Sequence, residues 1–298
     1  MRIFYAQAER AVNALPAPSF PHSSCLSRLV HRGSCSSTRS WGSSIEPGTK
    51  SRTARSPQSV RLISREVRRL KGENRLAMLD WLRRHHFPVS AFFERSLVLT
   101  FAFPEEVLRP LLAPGLSLDG GDGLGYAAVA LVQTRRLRPA GWPTWLGLDF
   151  FLTGYRIFAR YRDLRGRNLR GLRILRSDTD RRLMVWLGNL LTHYAYHKAE
   201  LDSTFSEQQW NFTLRSDTAP LKVAAFLESE PELPAESPFR DWREARKWAG
   251  PLPFTFDYER STDSMVIVEG VRQHWEPRPV RVELDRLGVG LAELSPPQ

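Results

Sequence analysis

The first 77 residues carry 14 Lys and Arg against 4 Asp and Glu, a net charge of +10, while the whole chain of 298 residues stands at +11. Residues 78–298 therefore hold 29 basic and 28 acidic groups and are close to neutral. This division limits where a fold can form. Residues 1–77 are rich in Ser, Arg and Pro, and their apolar residues keep no period of 2 or 3.6 before about Val60. Such a stretch cannot bury enough surface to offset its chain entropy. It reads as a disordered basic segment, with at most a short helix over residues 64–70. Three explanations stay open. The start is misassigned and Met78 is the first residue; or the segment is an Arg- and Ser-rich organelle transit peptide; or it is a basic arm for RNA, DNA or anionic lipid. No apolar h-region follows the N-terminus, which argues against a secretory signal.

Residues 78–298 suit one domain, long enough to bury most of its unfolded-chain surface. No apolar run approaches the roughly 18 residues that a membrane helix needs, so no membrane partner is expected. Both cysteines, Cys25 and Cys35, fall in the basic segment. The domain thus has no disulfide, no thiolate metal site and no Cys nucleophile, which fits a cytoplasmic protein.

Within the domain, residues 90–103 alternate as a strand does. Residues 104–112 predict a short helix, with Pro104 in its first turn and Glu105 and Glu106 at its positive end. Strands follow at 116–118, 124–134, 148–162 and 169–176, with tight turns at 119–123 and 163–167. The clearest helix spans 177–191: Ser177 and Asp180 make a capping-box-like start, and Leu183, Trp186, Leu187 and Leu190 should face the core. Strands are predicted at 192–202, 208–215 and 221–229, then a loop over 231–238 and a surface helix over 239–248. Strands at 254–260, 265–269 and 273–284 close the chain. The sum is about nine strands and three or four short helices, linked by hairpin-length turns, which argues for an antiparallel sheet curled into a barrel or two layers, of α+β class. Alternating βα units are missing, so a doubly wound parallel fold is not expected.

Few constellations suggest chemistry. Glycines 120, 121, 123 and 125 invite a phosphate-loop reading, but a β-rich segment follows where a helix is required, so a hairpin turn is favoured. His193 and His197 are four apart and would share a strand face; with Asp178 or Glu200 they could hold a metal, and without a clear third ligand they are polar wall residues. Neither a metal nor a cofactor is expected. Arg156, Arg160 and Arg162 share a face of 148–162, opposite Tyr155, Ile157, Ala159 and Tyr161, and Arg170 and Arg176 would share a face of the next strand. Such a wall binds carboxylate or phosphate if it lines a cavity, and is a solvated surface otherwise. The domain holds three lysines, Lys198, Lys222 and Lys247. Lys198 follows two His and two Tyr; desolvation there could free its amine for a Schiff base, against the plainer reading of an exposed lysine.

The stretch Phe87-Pro-Val-Ser-Ala-Phe-Phe-Glu-Arg-Ser-Leu-Val-Leu-Thr, followed by Leu108-Arg-Pro-Leu-Leu-Ala-Pro-Gly-Leu-Ser-Leu-Asp, resembles the opening of the YqjF-like bacterial family of unknown function. The resemblance continues through Gly154-Tyr-Arg-Ile-Phe, Gly166-Arg, Leu175-Arg-Ser-Asp, Gly188-Asn-Leu-Leu-Thr-His-Tyr and His274-Trp-Glu-Pro, and covers roughly 85–298. That family is similar in fold to acetoacetate decarboxylase, which implies an antiparallel cone-like barrel around a cavity. In the decarboxylase a cavity lysine, its pKa lowered by a neighbouring lysine, forms an imine with a β-keto acid. Here no Lys-Lys pair exists, and the resemblance places Tyr196 and His197 near the two lysines. It implies a cavity for a small organic acid or carbonyl compound, in a lyase-like enzyme or a binding protein. Arg156 would be the anion partner, His193, Tyr196 and His197 polar wall residues, and Lys198 the candidate nucleophile. Asp178 would orient the wall or cap the helix. The alternatives are a non-catalytic ligand-binding or assembly protein of the same fold, and a nucleic-acid-associated protein acting through the basic tail. The folded part is near neutral and shows no nucleic-acid module, so a small-molecule partner is favoured over nucleic acid. Assembly as a homo-oligomer stays open.

Overall fold

Three long strands form the spine of the protein: β3 (Val89–Pro104), β6 (Leu124–Pro139) and β7 (Leu148–Arg162). The computed structural model describes residues 80–227, 231–235, 237–250, 252–271 and 277–288, together with the backbone of 2–10 and 26–30. Most of the basic segment, including residues 64–70, lies outside the described residues. Two of its stretches have strand backbone, β1 (Arg2–Arg10) alongside β3 and β2 (Leu26–Val30) alongside β14 (Ser264–Val271).

The large sheet runs β15 (Arg278–Pro279), β1, β3, β6, β7, β8 (Asn168–Thr179), β13 (Phe254–Glu259), β14, β2. Its path is open rather than closed on itself. Three short strands attach to it: β4 (Leu116–Leu118) to β7, β5 (Gly120–Gly121) to β6, and β9 (Tyr196–Lys198) to β8. A second sheet orders β10 (Glu200–Phe205), β11 (Gln209–Arg215), β12 (Leu221–Phe226) and β16 (Arg281–Leu287). Almost every pairing is antiparallel; β8 makes the parallel ones, with β13 and β9. The protein is therefore mainly antiparallel β with a few short helices, as the strand pattern predicts.

Side-chain alternation sorts the core into two layers. Leu97, Leu99, Leu131 and Tyr155 pack from the large sheet onto Trp210, Phe212, Leu214 and Val223 of the second. The opposite face, with Val98, Ala130 and Phe158, lies under Phe239, Ala245 and Ala249. These come from α3 (Trp242–Ala245) and its surroundings, where Asp241 caps the helix by accepting from the Glu244 N–H at 2.7 Å. Residues 96–101 are thus buried without interruption. Each large apolar side chain so enclosed contributes about 1.5–3 kcal/mol. Of the run's two polar members, Ser96 begins it and Thr100, within it, donates to the Trp248 carbonyl at 2.7 Å.

The glycine run is a hairpin turn, as expected. Gly120 pairs with Gly125 and Gly121 with Leu124, across Asp122 and Gly123 at φ 54° and 75°. Two positive φ values suit an Asp-Gly type I′ turn. The predicted helix at 104–112 is α1 (Glu105–Leu108) plus a 3₁₀ turn at Arg109–Leu111.

The central helix differs from its prediction in two ways. The strand β8 continues to Thr179, and α2 spans Arg182–Leu191. Ser177 is therefore a strand residue, and no side chain caps the helix at Arg181. The buried face of α2 carries Met184 and Gly188, while Leu183 is 51% and Trp186 63% exposed. Leu183 and Trp186 of the stripe read as core point outward, and Leu187 and Leu190 are half-buried, because Gly188 is the contact point. A Cβ there would stand 2.3 Å from Cδ2 of Tyr196.

Candidate functional site

Two features of β8 build the site. The first is a register shift opposite Tyr155 and Arg156: Arg176 pairs with Tyr155 and Ile174 with Arg156, so Leu175 is the extra residue. One extra residue reverses the side-chain phase. Arg170 and Arg176, expected on one face, are thereby separated. Arg170 joins Arg160 on the buried Asp119 carboxylate and lies over the Trp248 ring at 4.7 Å. Those arginines serve a structural ion cluster. Arg176 instead shares the Tyr155 face, turned toward the second sheet.

The second feature is strand pairing at the end of β8, where Asp178 lies beside Thr153 of β7 on one side and His197 of β9 on the other. The Arg176 Nε donates to Asp178 Oδ1 at 2.8 Å, its Nη1 to Thr218 Oγ1 at 2.6 Å and its Nη2 to Ser216 Oγ at 3.3 Å. Asp178 and Thr153 are fully buried, yet Asp178 Oδ2 and Thr153 Oγ1 have no hydrogen-bond partner. His197 is exposed. The row Thr153–Asp178–His197 therefore leads from the space between the sheets to solvent.

Electrostatics follow from this burial. Desolvation raises the Asp178 pKa against the opposing pull of Arg176. Desolvation also raises the Tyr155 phenol, and the neighbouring Asp178 charge adds to it. The His197 imidazole is lowered by desolvation and by Arg176, with Asp178 opposing. A neutral imidazole beside a buried carboxyl can accept a proton and return it.

The remaining predicted residues are distributed elsewhere. Arg156 is partly buried on the face of β7 opposite Tyr155. Tyr196, 8% exposed, packs with Phe150 and Met184 beneath α2. Lys198 donates from Nζ to the Ala199 carbonyl at 2.8 Å and lines an outer groove of 450 Å³ with Arg83, Arg182, Trp186 and Leu190. Among the described residues no group of three or more His, Cys, Asp or Glu could hold a metal ion.

His193 belongs to a second buried polar cluster. The edge of β8 carries β13 at Gly171–Arg173 and β9 at Ser177–Thr179. Beside the interval between them, His193 and Tyr194 approach Arg173 and Asp257, which form an ion pair. His85 joins them through its ring contact with Tyr194, centroids 5.1 Å apart. Arg173 Nε, Asp257 Oδ2, His193 Nε2 and His85 Nε2 are all buried without a partner. Burial raises Asp257 and lowers both imidazoles, His85 to about 4.

The position of His197 depends on Asn189. Its Nδ2 donates to the Tyr196 carbonyl and its Oδ1 accepts from the Tyr196 N–H, both at 2.8 Å. This closed pair of bonds ties β9 to α2, and with Gly188 it explains the Gly188-Asn189 dipeptide. Asn189→Ala leaves both backbone groups without that partner and should cost about 1–3 kcal/mol in a denaturant melt. The same variant should move the His197 imidazole resonances; unchanged resonances would detach His197 from this control.

Sequence reasoning missed Thr153, Tyr155 and Arg176 as neighbours of Asp178. The hidden signal was the bulge: without it, Arg176 falls on the wrong face.

Comparison with solved structures finds several likenesses. With an acetoacetate decarboxylase from Legionella pneumophila the identity is 12%, the TM-score 0.40, and the match covers 65% of this chain and 72% of that one. With an acetoacetate decarboxylase-like enzyme from Sphingomonas wittichii the values are 15%, 0.39, 66% and 81%. With the enduracididine biosynthesis enzyme MppR, complexed with the condensation product of pyruvate and imidazole 4-carboxaldehyde, they are 12%, 0.40, 67% and 79%. At this identity and TM-score the likenesses say nothing of this chain's chemistry. A comparison with curated proteins finds no match. The model of one family, DUF2071, described as an uncharacterized conserved protein, matches residues 91–294, and the chain belongs to that family.

Proposed function

We propose that this protein binds a small organic acid or carbonyl compound between its two sheets, at Thr153, Arg176, Asp178 and His197. The observation that supports the reading is the pair of buried, unpartnered atoms, Asp178 Oδ2 and Thr153 Oγ1, beside an imidazole that reaches solvent. Buried polar atoms normally find partners, and a ligand with a carbonyl, hydroxyl or protonated carboxyl supplies them. Arg176 holds the carboxyl of Asp178 in place, and its charge favours an anionic ligand group nearby. His197, neutral at pH 7, is the group positioned to exchange a proton with the ligand.

A second reading, a binding protein without catalysis, is favoured by the lysines. Lys198 lines the outer groove, Lys222 pairs with Asp285, and Lys247 is exposed beyond α3. Imine chemistry at this site therefore has no amine among the described residues.

Both readings meet in one experiment. The full chain is titrated with a panel of β-keto acids, 2-oxo acids and aldehydes by calorimetry, then treated with borohydride and mapped by mass spectrometry. Saturable binding that falls at least tenfold in Asp178→Asn and His197→Ala, but not in Arg156→Ala, is expected, with no reduced adduct on Lys198. Turnover of a bound compound that His197→Ala abolishes selects the enzyme. Undiminished binding in both site variants, or an adduct confined to Lys198, overturns the assignment.

A further inference from the structure

One end of the molecule exposes more aromatic surface than folding accounts for. The hairpin tip between β6 and β7, Gly141-Trp-Pro-Thr-Trp-Leu, is exposed at every position from 141 to 146. Trp142 is 56%, Trp145 79% and Leu146 42% exposed. The tip is not a slack loop: Thr144–Leu146 form a 3₁₀ turn, and the Arg138 Nε donates to the Trp142 carbonyl at 2.9 Å. Two neighbours extend it. The Ala140 N–H donates to the Pro88 carbonyl at 2.8 Å, which joins the tip to the segment bearing Trp81. Arg83 of that segment donates to the Asn189 carbonyl, and Arg181 to the Asp149 carbonyl, which bring in the outer face of α2 with Leu183 and Trp186. Exposed large apolar side chains gathered at one end in this way mark a contact site.

Charge points to the partner. Arg138, Arg181 and Arg182 fringe the surface, and the nearby acids are occupied. Asp149 pairs with Arg135, Asp180 with Arg181 and Asp80 with Arg83, so Arg138 and Arg182 are the cations left without an ion-pair partner among the described residues. Residues 31–79, which carry 11 Lys and Arg against 3 Asp and Glu, join the described chain at Asp80, next to Trp81. Exposed Trp and Leu on a firm protrusion, with cations around them, are suited to the headgroup region of an anionic membrane. Indole rings sit at the headgroup level, and basic residues add electrostatic attraction. No described helix is long and apolar enough to cross a membrane, and a surface contact needs none.

We infer that this end of the protein docks on anionic membrane surfaces, with Trp142, Trp145 and Leu146 inserted at the headgroup level. The test is sedimentation of the full chain with vesicles of phosphatidylcholine alone and with added phosphatidylserine, at low and physiological salt. The expected result is binding that requires phosphatidylserine, weakens with salt and falls at least tenfold in Trp142→Ser/Trp145→Ser, whose melting temperature stays at the wild-type value. Vesicle binding that is absent, or equal in the double variant, overturns the inference. So does a double variant that changes only the oligomeric state, or that loses only binding to single-stranded RNA. Those outcomes would assign the tryptophans to a second copy or to base stacking.

Discussion

Asp178→Ala should melt roughly 10 °C below the wild type, a loss of about 3–5 kcal/mol. The replaced carboxylate is fully buried, and its partner Arg176 is only 7% exposed. Removing one member of such a pair leaves a charge with nowhere to go, since Ser216 and Thr218 satisfy the far side of the guanidinium and Nε would face an empty space. Asp178→Asn keeps an oxygen for Nε and should cost much less. Removing the arginine as well, in Arg176→Met/Asp178→Leu, should recover a large part of the loss, because the desolvation of both charges goes with them. Urea melts of the three variants measure this. A loss under 1 kcal/mol for Asp178→Ala would mean that the pair is not closed off from water, and the binding reading would lose its buried acceptor.

The second large effect is a dependence on pH. His85 has a folded-state pKa lowered to about 4 from an ordinary 6.5, by desolvation first and then by the neighbouring His193 and His86. Below 6.5 the unfolded chain takes up a proton that the folded chain refuses. The stability contributed by neutral His85 is therefore complete above about pH 6.5 and lost as pH falls through about 4, up to about 3 kcal/mol. Asp178 and Asp257 act in the other direction, since their raised pKa values let the folded state bind protons earlier. A difference measurement separates them. His85→Gln should lose about 3 kcal/mol less than the wild type between pH 7 and 4. Parallel curves for the two proteins would show that His85 titrates as freely as in the unfolded chain.

Strand positions were readable because alternation and turn residues agree. The 148–162 strand and the Asp122-Gly123 turn follow directly from them. Asp178 and His197 were singled out from residue type, and the fold makes them neighbours across β8 and β9. What escaped was everything set by phase rather than by composition. The bulge at Leu175 flips Arg176 away from Arg170, and no local propensity marks it. The α2 stripe was misread because hydrophobicity was counted and Gly188 was not, whereas close approach of Tyr196 makes the glycine the buried contact. His193, four residues from His197, turns to the Asp257 cluster because Ala195 between them takes a left-handed φ of 47°, which breaks the strand alternation that would have kept them together.

The shared edge of β8 also bears on how the chain is made. That edge is closed by β9 within a few residues of α2, but β13 begins about 75 residues after the end of β8, some 4–15 s of synthesis at ordinary rates. Over that interval Gly171–Arg173 present open backbone on a nascent sheet, a template for any passing strand. Arg173 ends the stretch, and its charge opposes mispairing until Asp257, carried by β13, neutralises it in the finished fold. Ribosome-bound chains truncated before Phe254 should for this reason depend on chaperones more than any fragment that includes β13.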